Sequence, residues 1–367
     1  MSATVLALAT DAFGGCGGIA QYNRDCLSAL AEAGHRIIVL PRHAPDAVDP
    51  PTRVTQLRAR ASRFAYSFEA LLIAVRSRPD IVFCGHIFMA PLGWLAAKLA
   101  GAHLVMQMHG IEAWPRPSSL ARRACESAAL ILNVSRYTRS RVLDWAAIPP
   151  ERALALPNTV AEFFSPGDGS ALREEWGLED QKVLLTVGRM ASSERYKGHD
   201  RVIAALPELL AGGHDVIYVI AGKGDDVLRL EKLAEGAGVR ERVRFVGALP
   251  RERLVGAYRM ANLFVMPSSG EGFGIAFLEA MACGTPALGL DIAGAQDALA
   301  DGELGVLIGP NDNLAAAIAR LVSKPKPAPH ALADRVRAQF GREVFSSNIC
   351  AAVVRLCSGA STMSATS

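Results

Sequence analysis

Short apolar runs alternate with amphipathic stretches along almost the whole chain, and the alternation occurs twice. In the first half the runs 5–9, 37–40, 81–84, 104–107 and 130–134 have the length and apolar content of buried strands. Stretches such as 18–33 and 89–100 between them carry a helical period. In the second half the strand runs are 183–187, 216–221, 243–246, 263–266, 287–290 and 306–308. Helical patterns over 200–210, 225–235 and 251–260 separate them. Repeated strand–helix alternation predicts parallel sheets with helices on both faces, an α/β fold of two doubly wound Rossmann-like domains facing a cleft. The seam falls where Pro and Gly break the periodicity, between 156–160 and 164–170. The predicted domains are therefore residues 1–163 and 164–340. A C-terminal helix over 341–358 is expected to pack back on the first domain, with 359–367 as a flexible tail.

Composition narrows the class. At 367 residues, half of them apolar and a fifth charged, the chain can bury two cores. No apolar run approaches the ~20 residues that cross a bilayer. Thr4 to Thr10 reads as a first strand rather than a leader. The seven cysteines are scattered with no Cys-x-x-Cys, which points to reduced thiols in a cytoplasmic protein. The net charge of +3 is uneven, with 17 basic and 11 acidic residues among the first 160. Arg53, Arg58, Arg60 and Arg63 precede Phe64, Tyr66 and Phe68, and Arg122, Arg123, Arg136, Arg139 and Arg141 form a second group. Such a half suits peripheral contact with an anionic membrane or a diphosphate-bearing acceptor, or else is a solvated face. The basic residues are too dispersed for a nucleic-acid module.

In doubly wound sheets, ligands sit beyond the carboxyl ends of strands, so chemistry is sought in the loops that follow them. Glu271-Gly-Phe-Gly-Ile-Ala-Phe-Leu-Glu279 follows the strand run 263–266. Gly272 and Gly274 allow a tight turn into a helix N-terminus. Glu271 is then in the loop, and Glu279 sits roughly 7–8 Å along the helix axis from Gly274. Two carboxylates so spaced can accept hydrogen bonds from hydroxyls at both ends of one ligand. Gly188-Arg189-Met190 follows the strand run 183–187, and Tyr196-Lys197-Gly198 opens the next helix. An Arg fork and a Lys ammonium there can neutralise a diphosphate without a metal. No Asp-x-Asp is present to hold a divalent ion, and no metal or other cofactor is expected.

Gly14-Gly-Cys-Gly-Gly18 follows the first strand, but it is a weak dinucleotide fingerprint. Pro41-Arg42-His43 after the second strand offers no ribose-binding acid, which disfavours a dehydrogenase. His109-Gly110 follows the strand run 104–107; a histidine after a strand is commonly a structural hydrogen-bonding residue, and its loop position makes a functional role an equal reading. Asn158 reads as a hinge residue.

The ordered set Gly-Arg-Met, Tyr-Lys-Gly and Glu-x7-Glu resembles glycosyltransferase family 4, retaining enzymes with the GT-B fold, over almost the entire chain. The resemblance implies that residues 1–163 bind the acceptor and 164–340 a nucleotide diphosphate sugar. By it, Lys197 and Arg189 hold the diphosphate, and Glu271 lies against the hexose with the backbone of Phe273 and Gly274. Ile275 completes that stretch, Glu279 takes the ribose hydroxyls, and Val246 within Arg244–Gly247 contacts the base. Gly17 and Gly18 face the phosphates, and His109 lies beside the anomeric centre. Asp291-Ile-Ala-Gly-Ala-Gln-Asp297 departs from the family, many of whose members carry a double glycine and then Pro-Glu. The motifs look most similar to bacterial exopolysaccharide α-mannosyltransferases, implying GDP-mannose as donor. The acceptor implied is a glycan or polyprenyl-diphosphate-linked oligosaccharide at the inner face of the plasma membrane. UDP-glucose or UDP-N-acetylglucosamine transfer is the alternative. Epimerisation of a nucleotide sugar, or its sensing without turnover, is a further one.

Overall fold

The computed structural model describes residues 2–363 other than Cys16, Ala47 and Glu179, with side chains as far as Leu356. The chain divides into two compact units, Met1–Thr159 with Glu343–Ser367, and Val160–Arg342.

The first unit is built on a seven-stranded parallel sheet. Its strands are β1 (Thr4–Asp11), β2 (Arg36–His43), β3 (Val54–Gln56) and β4 (Ile81–Cys84). They are followed by β5 (His103–Met108), β6 (Leu130–Asn133) and β7 (Ala153–Ala155). The spatial order is β3-β2-β1-β4-β5-β6-β7. Val5 to Ala9 are fully buried, as expected of a strand covered on both faces, and so β1 reads as an unbroken apolar run. Register is direct, with Val5 opposite Ile37 on one side and Ile81 on the other.

The second unit carries a six-stranded parallel sheet. Its strands are β8 (Lys182–Val187), β9 (Val216–Ala221), β10 (Val243–Gly247), β11 (Leu263–Met266), β12 (Ala287–Leu290) and β13 (Val306–Ile308). Their order is β10-β9-β8-β11-β12-β13. In both sheets the direction of winding reverses at one junction, β1/β4 and β8/β11. The loops leaving the carboxyl ends of those four strands therefore diverge and leave room for a ligand.

The strands predicted from the apolar runs agree with the observed ones to within three residues at each end, the largest difference being at β2, which runs on to His43. The two unforeseen strands, β3 and β7, are three-residue edge strands, too short for an apolar period to register. The helix Arg342–Met363 belongs to the first unit, with Phe345 edge-on to Tyr22 (5.6 Å between ring centroids) and Cys350 Sγ 3.9 Å from the Ala29 carbonyl. It runs beyond 358 into the expected tail, because extending a formed helix needs no new nucleus. Residues 364–367 lie outside the described residues. Among the described residues, no helix is long and apolar enough to cross a membrane. Cys26, Cys84, Cys125, Cys283 and Cys350 are free thiols, and burial pushes Cys84, Cys125 and Cys283 up to about 12.

Candidate active site

In the second unit the site begins where β8 and β11 part. β8 delivers Gly188 and Arg189. A short 3-10 turn, Ser192–Lys197, then leads into the helix His199–Ala211. That turn is tied down by Asp225, which accepts from the Ser192 N–H at 2.8 Å and its hydroxyl at 2.6 Å. Asp226 takes Arg195 at 3.0 Å and a forked Arg229, and these bonds hold its carboxyl below the usual range. Gly198 at φ 77° sits where a Cβ would lie 2.5 Å from the Pro267 carbonyl, so only glycine lets the two loops touch.

Lys197 lies over Gly188, and its ammonium donates to Glu271 Oε1 at 3.0 Å. Ser268 donates to the same oxygen at 3.1 Å. Both charged side chains are largely covered, at 14% and 12% exposure, so the pair is held by packing as well as by charge. The Glu271 carbonyl accepts from the Gly294 N–H at 2.9 Å, coupling this loop to the one after β12. Gly274, at φ 94°, caps the helix Ile275–Ala282, whose free N–H groups and positive end open beside Glu271. Phe273 is buried against Phe340, so it presents its backbone rather than its ring.

The other predicted residues spread from this centre. Arg189 is 76% exposed and pairs with Glu194, so it is tethered but outward-facing, unlike Lys197. Glu279 projects from the second turn of its helix and accepts the Tyr258 hydroxyl at 2.6 Å. Burial pushes its carboxyl up to about 7, against the lowering effect of that bond. Val246 lies on β10, whose last residue, Gly247, accepts the Gly222 N–H at 2.8 Å. In the departing segment, Ala293 stands at φ 52°, ψ −140°, a conformation suited to glycine. A Cβ on Gly294 would lie 2.3 Å from the Gly272 carbonyl.

In the first unit, Gly17 at φ 89° caps the helix Gly18–Glu32, and a Cβ on either Gly17 or Gly18 would meet open space. One turn on, Tyr22 meets the His109 ring edge-on at 5.8 Å. His109 Nε2 donates to the Gly85 carbonyl at 2.8 Å, and the backbone N–H of His109 donates to Glu112 Oε1 at 2.6 Å. Burial pushes the imidazole down to about 4, so it is neutral near pH 7. His86, which the sequence reading passed over, lies 5.8 Å from it and is likewise lowered by burial and by its neighbour. The signal was present as a Gly-His pair directly after β4, beside the His-Gly pair after β5. Ser268, Tyr258, Asp225 and Asp226 were also missed, because a single Ser, Tyr or Asp in a loop carries no spacing that marks it.

Residues 169–339 match the family described as Glycosyl transferases group 1, and residues 16–162 match Glycosyltransferase Family 4. A GDP-mannose-dependent alpha-(1-6)-phosphatidylinositol monomannoside mannosyltransferase of Mycolicibacterium smegmatis is 34% identical over 257 residues, 65% of this chain and 66% of the relative. D-inositol 3-phosphate glycosyltransferase 1 of Catenulispora acidiphila is 30% identical over 298 residues, 75% of this chain and 70% of the relative. The matches to the first three curated relatives span 64–66% of their own lengths. Among solved structures, sucrose-phosphate synthase from Thermosynechococcus elongatus superposes with a TM-score of 0.80 at 21% identity. It covers 97% of this chain and 100% of its own. Anabaena HepE in complex with UDP gives 0.77 at 20%, covering 97% and 100%. These likenesses place both units in the GT-B fold. The chain belongs to glycosyltransferase family 4.

Proposed function

We propose that the chain is a retaining, metal-independent hexosyltransferase that uses a nucleotide diphosphate sugar. The carrying observation is the Lys197 ammonium, fixed by Glu271 at the β8/β11 switch point beside a helix N-terminus. In this reading the bond between the anomeric carbon and the diphosphate oxygen breaks, and the diphosphate leaves toward Lys197, Arg189 and the amide dipoles. The acceptor hydroxyl forms its bond to that carbon on the same face and passes its proton to the departing phosphate. Glu271 positions the hexose with the backbone of Phe273, Gly274 and Ile275. Glu279 takes the ribose, Val246 the base, and Gly17 and Gly18 the phosphates. His109, neutral near pH 7, serves as a hydrogen-bonding partner beside the anomeric centre.

We infer mannose from GDP-mannose as the transferred group. The 34% identical relative, named for that donor, supports this. The acceptor proposed is a glycan or polyprenyl-diphosphate-linked oligosaccharide used in exopolysaccharide or cell-envelope synthesis. Working at the inner face of the plasma membrane fits the helix Arg63–Ser77, where Tyr66 is buried while Phe64 and Phe68 are 90% and 71% exposed beside Arg58 and Arg63. Exposed aromatics flanked by guanidinium groups suit an anionic bilayer surface.

The test is incubation with radiolabelled GDP- and UDP-sugars, with and without a membrane lipid extract, in the presence of EDTA. Transfer of label from GDP-mannose into lipid, undiminished by the chelator, is the expected result. Transfer only from UDP-sugars would reassign the donor. Interconversion of the sugar without acceptor would replace the reading altogether.

A further inference from the structure

The opposite end of the strands in the second sheet carries a cleft that the donor-side loops do not explain. Its volume is about 410 Å³, within the range of small-molecule sites. It lies at the amino ends of four adjacent strands, where Lys182 opens β8 and Val306 opens β13, and Asn262 and Pro286 immediately precede β11 and β12. The segment 323–328 closes one side, with Pro325 and Pro327 stiffening a stretch that presents Lys324 and Lys326. Even the four residues of β11 put about 13 Å between this cleft and the loops that hold Glu271.

The lining combines two chemistries. Leu304, Leu321 and Leu332 supply an apolar floor, while Lys182, Lys324, Lys326 and Arg335 supply positive charge against a single lining carboxylate, Glu303. Lys182, Lys324 and Lys326 have no carboxylate within 4.0 Å among the described residues. The Lys326 ammonium makes one long contact, 3.4 Å to the Arg259 carbonyl. Burial, then the neighbouring Arg173 and Lys182 charges, lower it to about 8. A partly desolvated ammonium among other cations is unfavourable alone, and an anion placed beside it restores the balance. Inorganic phosphate would satisfy the charges and leave the leucine floor wet. An alcohol would do the reverse.

We propose that this cleft binds an amphiphilic phosphate monoester, its phosphate at Lys182 and Lys326 and its apolar body against Leu304, Leu321 and Leu332. The site is separate from the donor loops, so its ligand and the nucleotide bind without competition.

Titration calorimetry of the full chain with octyl phosphate, below its micelle concentration, tests this. One saturable site is expected, with inorganic phosphate and 1-octanol each binding at least tenfold more weakly. The double variant K182Q/K326Q should lose at least tenfold in affinity. Ala331→Trp, which fills the cleft and leaves the charges in place, should lose as much. Circular dichroism confirms that both variants fold. GDP or UDP at saturation should leave the octyl phosphate isotherm unchanged. The proposal is overturned by absence of octyl phosphate binding, by equal binding to the double variant, by inorganic phosphate binding as tightly as the ester, or by displacement with nucleotide. None of these readouts depends on turnover, so they stand apart from the test of hexosyl transfer.

Discussion

Glu279 makes stability depend on pH in a direction opposite to that of most carboxylates. Its folded value is raised from 4.5 to about 7, chiefly by burial. Between those limits the folded protein keeps a proton that the unfolded chain has lost, so stability falls as pH rises through the window. A full shift of that size is worth about 3 kcal/mol. The residue retains some solvent contact, which brings the expected figure to about 2 kcal/mol. Glu279→Gln keeps an acceptor for the Tyr258 hydroxyl and removes the ionisation. Urea denaturation should therefore find E279Q within about 0.5 kcal/mol of the parent at pH 4, below the unfolded value, and more stable by about 2 kcal/mol at pH 8. Every other titrating group is shared by the two proteins and cancels in the comparison. An equal difference at both pH values would show that the burial penalty does not exist. In the proposed reading the same group also links to ligand binding, since ribose hydroxyls donating to the carboxylate would favour its ionised form. Nucleotide binding near pH 7 should then release a proton from the parent and none from E279Q, read by calorimetry in buffers of different ionisation enthalpy.

Three other outcomes are expected. Lys197→Ala should lower kcat for hexosyl transfer by roughly 10²–10³-fold, and Arg189→Ala, in a side chain 76% exposed, by less. Steady-state kinetics with both variants would refute the ranking if Arg189 proved the costlier loss. His109 should show flat proton chemical shifts between pH 5.5 and 8, since burial lowers it to about 4; titration within that range would contradict the assignment of a neutral ring. Ala293→Gly should raise stability by about 1 kcal/mol, because a side chain at φ 52°, ψ −140° costs more than the added freedom of the unfolded chain. A fall in the urea midpoint would show that Ala293 is unstrained.

The sheets were legible because parallel strands covered on both faces write themselves as apolar runs, and the helices between them keep their period. Lys197 and Glu271 were legible as a base and an acid in the loops that follow β8 and β11. Their direct contact was not, because it depends on Gly198 letting the loop after β8 touch Pro267 across 69 positions of chain. The contrast between Lys197 and Arg189 was hidden for a similar reason: Arg189 pairs with Glu194 in the 3-10 turn, while Lys197 pairs with Glu271 from another loop. Ser268 and Tyr258 entered the site through partners distant in sequence, Lys197 and Glu279. Spacing within one segment cannot report such contacts. The cationic cleft at the amino ends of β8 and β13 was equally invisible, since Lys182 and Lys324 stand 142 positions apart.

Because Lys197 already rests against Glu271, its charge is not offered freely to every anion that diffuses past. A small ion such as inorganic phosphate would have to compete with a carboxylate that the chain itself supplies at close range. A diphosphate joined to a sugar and a nucleoside brings further contacts with which to outbid that internal rival. In the proposed reading, the resting pair thus acts as a threshold that favours ligands long enough to reach several loops at once.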